Sequence, residues 1–207
     1  MKNRDYKKFG MGEYYHIYNR GNEKKEIFRE QDDFRFFLER IKKYLFPEKF
    51  KQRVRELLPS NTFSLISYCL MPNHFHLLIR QNTEIPVTAL MRRLGTSYSM
   101  YFNKKYQRVG GVFQDQYKMV LVDDNRHLIW LSAYIHQNPK VANLVSDLKD
   151  YPWSSYNEFL GQSTPATCDK NIILQQFVTL DEYSKFLKES FFLIKHKKDM
   201  EFLLIDN

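Results

Sequence analysis

Residues 63–80 carry the pattern that most restricts the fold of this chain. FSLISYCL (63–70) and HFHLLIR (74–80) are two apolar runs of strand length, and the Met-Pro-Asn segment between them is typical of the turn in a β-hairpin. Side chains alternate between the two faces of a strand, so His74 and His76 should share one face while Phe75 points the opposite way into a core. The hairpin therefore predicts a sheet with one apolar face and one face that carries two imidazoles.

Helices and further strands are predicted on both sides of this hairpin. EYYHIYNR (13–20) predicts a first strand that ends before Gly21, and apolar residues at helical spacing after Asp32 predict a helix that Asp32 caps. The charged stretch EKFKQRVRELLPS (48–60) predicts a short second helix that ends at Pro59. The later elements are a helix from Pro86 to about Tyr106, a strand over 112–122, and a helix that Asp124 or Asn125 caps and Pro139 ends after Asn138.

The order of these elements indicates an α+β protein. Strand, helix, strand, strand, helix, strand, helix is the order of a ferredoxin-like fold, an antiparallel sheet with helices packed on it. The polar stretch 161–171 predicts a linker, and apolar spacing over 172–207 predicts a helical C-terminal extension. We thus expect a main domain over 1–160, a linker over 161–171 and an extension over 172–207.

Composition restricts the function further. Lys and Arg number 32 against 24 Asp and Glu, and the net charge of +8 favours an anionic partner. The presence of only two cysteines, Cys69 and Cys168, argues against a disulfide framework and against a cysteine-built zinc site. No apolar run approaches the roughly 20 residues of a membrane span, and the charged N-terminus does not resemble a signal peptide. We expect a cytoplasmic protein with no membrane partner.

Two separate groups of residues are candidates for chemistry. His74 and His76, side by side on a strand, are suited to form two corners of a divalent-metal site, although many His-x-His pairs are incidental. Tyr134 and Asn138 are one helical turn apart and share a face, with Gln137 nearby. A helical tyrosine is often only part of the packing, so both readings stay open from the residues alone.

Several motifs together resemble one family. The chain is similar to the REP-associated tyrosine transposases, the single-tyrosine branch of the HUH endonucleases, over about residues 10–160. The segments that carry this resemblance are YHIYNRGNEKKEIF (15–28), YCLMPNHFHLLIR (68–80), FQDQYK (113–118), YIHQNPKVANLV (134–145) and DYPWSSYNEF (150–159).

The resemblance implies a fold, an activity and a set of roles. The fold would be the HUH nuclease fold, with His74, His76 and Asn138 as metal ligands and Tyr134 as the nucleophile. The activity would be cleavage and rejoining of single-stranded DNA through a 5′-phosphotyrosine and a free 3′-OH, at hairpin-forming repeats. Phosphate chemistry with oxygen and imidazole ligands suits Mg²⁺ or Mn²⁺. We expect single-stranded or hairpin DNA as partner, a monomer or homodimer, and a place near the nucleoid of a bacterial-type cytoplasm.

Basic residues that could bind DNA cluster between positions 80 and 118, interleaved with aromatic side chains. Such a groove binds phosphates while aromatic rings stack on unpaired bases, but the same pattern also fits a solvated helix face over core aromatics. Arg20, in the YNRG turn, is a further candidate for a phosphate contact. The predicted DNA-binding residues are Arg20, Arg80, Arg92, Arg93, Lys104, Lys105, Arg108 and Lys118.

Two other functions are compatible with these residues. A catalytically idle relative would bind hairpin DNA as a repressor or architectural factor. A metal-dependent phosphodiesterase of RNA or nucleotides would use the histidines, with Tyr134 serving only in packing. A covalent protein–DNA adduct separates the tyrosine enzyme from both.

Overall fold

The computed structural model describes residues 10–50, 58–162 and 167–205, with side chains described up to residue 196. Its centre is a four-stranded antiparallel sheet in the order β2-β3-β1-β4. The strands are β1 (Tyr14–Arg20), β2 (Phe63–Met71), β3 (His74–Gln81) and β4 (Lys118–Val122). The helices are α1 (Gln31–Leu45), α2 (Val87–Lys105), α3 (Asn125–Val141), α4 (Tyr156–Phe159), α5 (Asn171–Leu174) and α6 (Leu180–Ile205). The predicted α+β class and the ferredoxin-like order are confirmed.

Helices α1 and α2 cover the apolar face of the sheet. Phe75 of β3 is buried there, with its ring centroid 5.0 Å from that of Phe37 in α1. Phe37 in turn meets Tyr98 of α2 edge to face at 5.1 Å. The aromatic side chains of this layer thus form one core, and the predicted inward direction of Phe75 is confirmed.

Helix α3 lies on the opposite face of the sheet and is itself covered by α6. The predicted helical character of the C-terminal extension is confirmed by α5 and α6. Tyr183 and Leu187 of α6 are buried, and the backbone carbonyl of Leu187 accepts a hydrogen bond from the Gln137 side chain of α3 at 2.6 Å. The extension therefore packs directly on the helix that carries Tyr134.

Two predicted boundaries are wrong: the start of the first helix and the start of the last strand. Helix α1 begins at Gln31 and its N-cap is Glu30, not Asp32, because the Asp33 carboxylate accepts the backbone N–H of Glu30 at 3.1 Å. The strand predicted over 112–122 begins only at Lys118. The last ladder pair is Tyr18 with Lys118, and Asn19 then donates its side-chain amide to the Asp115 carbonyl at 3.0 Å, in place of a regular ladder.

The end of helix α3 also differs from the prediction. The helix continues through Pro139 to Val141. A proline lacks only its own N–H, and the next carbonyls are still used. The Ala142 N–H donates to the Asn138 carbonyl at 3.0 Å, and the Leu144 N–H donates to the Pro139 carbonyl at 2.9 Å. The helix predicted within 48–60 falls largely on 51–57, outside the described residues. A single 3₁₀ turn is seen at Pro47–Lys49.

Candidate functional site

The two histidines of β3 lie on the sheet face that α3 covers. His76 pairs across the sheet with Tyr18 of β1 and Cys69 of β2, so it occupies the interior of the sheet. His74, at the start of β3, pairs with Arg20. The two imidazole centroids are 5.1 Å apart with their planes at 90°. Strand alternation thus produces the side-by-side arrangement that the sequence predicts.

Each of these imidazoles is held at its Nδ1 atom. For His74 the partner is the side-chain oxygen of Asn73, at 2.6 Å. An amide oxygen only accepts, so Nδ1 of His74 carries the proton and Nε2 carries the lone pair in the neutral ring. For His76 the partner is Nε2 of His16 on β1, at 2.9 Å. Hydrogen bonds of this kind, to the ring nitrogen that does not bind, are what orient histidines in metal sites.

His16 is the member of the site that the sequence reasoning missed. Its ring lies nearly parallel to that of His76, at 19° and with centroids 5.2 Å apart. Burial, with a smaller contribution from the charge of His127, lowers the pKa of His16 to about 4. Alternation along EYYHIYNR places His16 on one face of β1. The strand that pairs with β1, and therefore the partner of His16, depends on the tertiary structure.

Tyr134 reaches the histidines from helix α3. Its half-buried ring stands edge-on to His76, with centroids 5.5 Å apart and an interplanar angle of 84°. It approaches His16 in a similar way at 6.3 Å. On its other side it stacks on Trp130, one turn earlier, at 5.7 Å. The structure therefore brings together the two groups of residues that lie 58 positions apart in the chain, from His76 to Tyr134.

The polar residues after Tyr134 point in different directions. Asn138 is fully buried, and its Nδ2 donates to the Tyr134 carbonyl at 2.8 Å, which holds its carboxamide on the Tyr134 side of the helix. Gln137 is directed to α6, where its Nε2 donates to the Leu187 carbonyl. Of these two amides, Asn138 therefore stays on the Tyr134 side of the helix and Gln137 does not.

His136, which the sequence analysis does not place in the site, belongs to the interior. Its Nδ1 lies 2.7 Å from the Tyr183 hydroxyl and its Nε2 lies 2.8 Å from the Ser155 hydroxyl. Burial lowers its pKa to about 3. Ser155 also accepts the backbone N–H of Tyr68 at 2.9 Å, so His136 ties α3 to both α6 and β2.

The donor set fits a divalent cation held by two imidazoles and an amide. Within residues 10–50, 58–162 and 167–205, no group of three His, Cys, Asp or Glu side chains is placed to hold a metal ion. A site based on His74 and His76 therefore needs further ligands of another kind, such as an amide oxygen, water or the substrate. Asn138 could supply a carboxamide oxygen, and because Nδ1 of each imidazole is already in a hydrogen bond, Nε2 would be the ligating atom.

Two of the predicted DNA-binding residues lie beside the histidines. Arg20 is exposed and pairs directly with His74 across β1 and β3. Lys118 is exposed at the start of β4, with its ammonium 5.9 Å from the Tyr18 ring, and Tyr18 is the cross-strand neighbour of His76. Both cations therefore lie on the histidine face of the sheet, beside the histidine pair.

The other predicted DNA-binding residues do not share this surface. Arg92, Arg93, Lys104 and Lys105 belong to α2 and Arg108 follows it, on the layer opposite to the histidines. Arg80 is on the histidine face but at the far end of β3, with its guanidinium over Tyr14 at 5.6 Å. The single continuous basic groove that the sequence suggests is therefore divided between two faces.

Lys105 is better explained by a structural role. Its ammonium lies 2.8 Å from the carboxylate of Asp33, which is fully buried, and 3.2 Å from that of Glu30. Removing such a partner would leave a buried charge uncompensated, so this lysine stabilises the contact between α1 and α2. The sequence could not separate it from Lys104, its exposed neighbour. No helix among the described residues has the length and apolar character that a membrane crossing requires.

Comparisons with known proteins agree with this arrangement. Residues 11–138 match the model of the family described as "Transposase IS200 like", a range that contains His74, His76, Tyr134 and Asn138. A protein of Haemophilus influenzae named as a REP-associated tyrosine transposase is 28% identical over 132 residues, which cover 58% of this chain and 74% of that protein.

The fold also has a solved counterpart. A structure of a REP-associated tyrosine transposase bound to a REP hairpin superposes with a TM-score of 0.55 at 13% identity, covering 73% of this chain and 80% of the other. At 13% identity, this likeness supports a shared fold and nothing further. The predicted resemblance is confirmed, and the chain belongs to the IS200-like transposase family.

Proposed function

We propose that this transposase is a metal-dependent endonuclease that cuts and rejoins single-stranded DNA with Tyr134 as the nucleophile. The observation that carries the proposal is the edge-on approach of the Tyr134 ring to His76, 5.5 Å between centroids. A phenol from one helix and two imidazoles from a rigid strand thus converge on one small volume. This is the arrangement that a phosphodiester needs when a nucleophile must attack beside a held phosphate.

Tyr134 would act in the following way. A phenol has an ordinary pKa of about 10 and attacks well once its proton is lost. Its oxygen forms a bond to phosphorus as the bond to the 3′ oxygen of the neighbouring nucleotide breaks, and that oxygen leaves as a free 3′-OH after taking up a proton. The product is a 5′-phosphotyrosine. Because the phosphoester is conserved, a 3′-OH from another strand can reverse the step and join the DNA.

His74, His76 and Asn138 would hold the cation. The two imidazoles would use Nε2, since Nδ1 of His74 is held by Asn73 and Nδ1 of His76 by His16. When bound, Mg²⁺ or Mn²⁺ supplies polarisation of the scissile phosphate and stabilises the charge on its oxygens. Trp130 supports the nucleophile by stacking on it, which limits the rotation of the Tyr134 ring.

The DNA partner is proposed to be a single-stranded or hairpin substrate. The solved structure that shares this fold is bound to a REP hairpin. Arg20 and Lys118 flank the histidines and would contact the phosphates on either side of the cleaved bond. The basic residues of α2 would serve a more distant part of the DNA, because they lie on the other layer.

The test is the formation of a covalent adduct. Purified protein is incubated with end-labelled single-stranded hairpins and Mn²⁺, and the products are separated on a denaturing gel. We expect a band that carries the label at the mass of protein plus DNA, with the modified peptide mapping to Tyr134. Cleavage without an adduct would indicate a phosphodiesterase that uses water, and binding without cleavage would indicate an idle DNA-binding protein.

A further inference from the structure

His16 lies next to His76 and forms a hydrogen bond with its imidazole. The two residues are on neighbouring strands and point to the same face, with His16 two pairs further along the ladder, opposite Leu78. Diagonal neighbours in an antiparallel sheet are within reach of long or aromatic side chains. In this pair, His16 Nε2 and His76 Nδ1 form a hydrogen bond of 2.9 Å. A strand pairing thus places one imidazole against another.

The direction of this hydrogen bond follows from what His76 is proposed to do. An imidazole that binds a cation through Nε2 must carry its proton on Nδ1. Nδ1 of His76 is then the donor, and Nε2 of His16 must be the acceptor. His74 obtains the same tautomer from Asn73, its neighbour in sequence, whose amide oxygen only accepts. Both His74 and His76 would therefore carry the proton on Nδ1, but a different residue accepts it in each case.

The contacts of His16 suit a positioning role. Its ring stacks on Tyr18 at 4.9 Å and meets the Tyr134 ring edge-on at 6.3 Å. These contacts hold the ring in place between the nucleophile helix and the first strand. An acceptor that is itself held in place restricts both the tautomer and the rotation of the ring to which it bonds.

We propose that His16 is a positioning residue that sets the tautomer and the orientation of His76 by accepting its Nδ1 proton. This inference rests on the proposed function, because it assumes that Nε2 of His76 is the ligating atom. Loss of a partner of this kind typically weakens metal binding about 10- to 100-fold. The first strand thereby becomes a functional part of the site as well as a structural one.

The test compares two substitutions of His16. His16→Phe keeps a ring but has no acceptor, whereas His16→Gln offers an amide oxygen at about the distance of the lost Nε2. Mn²⁺ affinity is measured by isothermal titration calorimetry on metal-free protein. We expect His16→Phe to weaken binding about 10- to 100-fold and His16→Gln to restore most of it. Tyr14→Phe, on the same face of the same strand, is the matched control and should bind as the wild type does.

A second measurement needs no metal. Nitrogen-15 NMR of the imidazoles in the metal-free protein reports which nitrogen of His76 carries the proton. We expect the Nδ1–H form in the wild type and in His16→Gln, and a mixture of the two tautomers in His16→Phe. An unchanged tautomer and unchanged Mn²⁺ affinity in His16→Phe would overturn the proposal.

Two further outcomes are separable from these. If both variants lose Mn²⁺ binding equally while the His76 tautomer stays the same, His16 is itself a ligand, and the positioning role is wrong. If the wild-type protein binds no Mn²⁺, the proposed metal dependence fails, while the NMR comparison still decides whether His16 sets the tautomer of His76.

Discussion

The ring of Tyr134 stands edge-on to the imidazole of His76, at 84° and with 5.5 Å between the centroids. Helix α3 supplies the first ring and strand β3 the second, so the site exists only where the helix covers the sheet. Trp130, one turn earlier in α3, stacks on the Tyr134 ring with an interplanar angle of 16°.

Tyr134→Phe should abolish the covalent adduct and DNA cleavage together. The substitution removes only the attacking oxygen, so the ring contacts with Trp130 and His76 remain and the free energy of unfolding should change by no more than about 1 kcal/mol. Hairpin affinity, measured by fluorescence anisotropy, should be retained. Tyr117→Phe is the control, because burial raises the pKa of Tyr117 and disfavours its phenolate, and this variant should still form the adduct. An adduct that persists in Tyr134→Phe would contradict the mechanism.

His74→Ala and His76→Ala should each remove metal-dependent cleavage. His74 is half-buried and His76 is on the site face, so neither substitution opens the aromatic core between β3 and α1. Thermal melts of both variants should show a folded protein. In the wild type, EDTA should stop cleavage, and added Mg²⁺ or Mn²⁺ should restore it. Full activity in excess EDTA would show that no cation is needed.

Asn138→Ala and Gln137→Ala should affect different properties, the first metal dependence and the second stability. Asn138 stays on the Tyr134 side of α3, so its loss should raise the Mn²⁺ concentration needed for half-maximal cleavage. Gln137 donates to the Leu187 carbonyl in a buried contact, so its loss should lower the free energy of unfolding by about 1–3 kcal/mol. A metal titration and a urea titration on both variants distinguish the two effects. The opposite ranking in the metal titration would assign the ligand to Gln137.

Lys118→Ala and Lys105→Ala form a second contrasting pair. Lys118 is exposed beside the site, so its loss should weaken hairpin binding and reduce the salt dependence of the affinity by about one phosphate contact. Lys105 pairs with the buried Asp33, so its loss should destabilise the fold by about 3 kcal/mol and leave the salt dependence unchanged. Affinity is measured at several salt concentrations alongside chemical denaturation. If the hairpin affinity of Lys105→Ala depended less on salt than that of the wild type, Lys105 would be a DNA-binding residue after all.

Asp33 should make the fold sensitive to acid. Burial by itself would raise the pKa of Asp33, but hydrogen bonds from Lys105, Tyr106 and two backbone N–H groups outweigh it and lower the pKa from its ordinary 3.8. A carboxylate with a lowered pKa stabilises the folded state fully above its unfolded pKa and loses that contribution as the pH falls through the folded value. Urea titrations between about pH 6 and about pH 2 should therefore show the advantage of wild type over Asp33→Asn shrinking below about pH 4. A constant difference across this range would show that the charge of Asp33 contributes nothing.

Local periodicity determined much of this protein from the sequence alone. The period of two along β3 placed His74 and His76 on one face and Phe75 on the other, as the structure has them. The spacing of four along α3 placed Asn138 with Tyr134. The order of the elements was sufficient for the fold class, because few topologies accommodate a hairpin between two helices and a fourth strand.

The tertiary structure decided everything that depends on contacts between distant segments. His16 meets His76 because β1 pairs with β3, which no pattern within EYYHIYNR specifies. Lys105 and Lys118 are both basic residues in a basic region, yet one neutralises Asp33 and the other faces the site. Gln137 and Asn138 are adjacent amides, and it is the packing of α6 on α3 that gives Gln137 a partner in the Leu187 carbonyl. Alternation and helical spacing give the direction of a side chain, whereas its partner depends on long-range packing, which a local pattern does not encode.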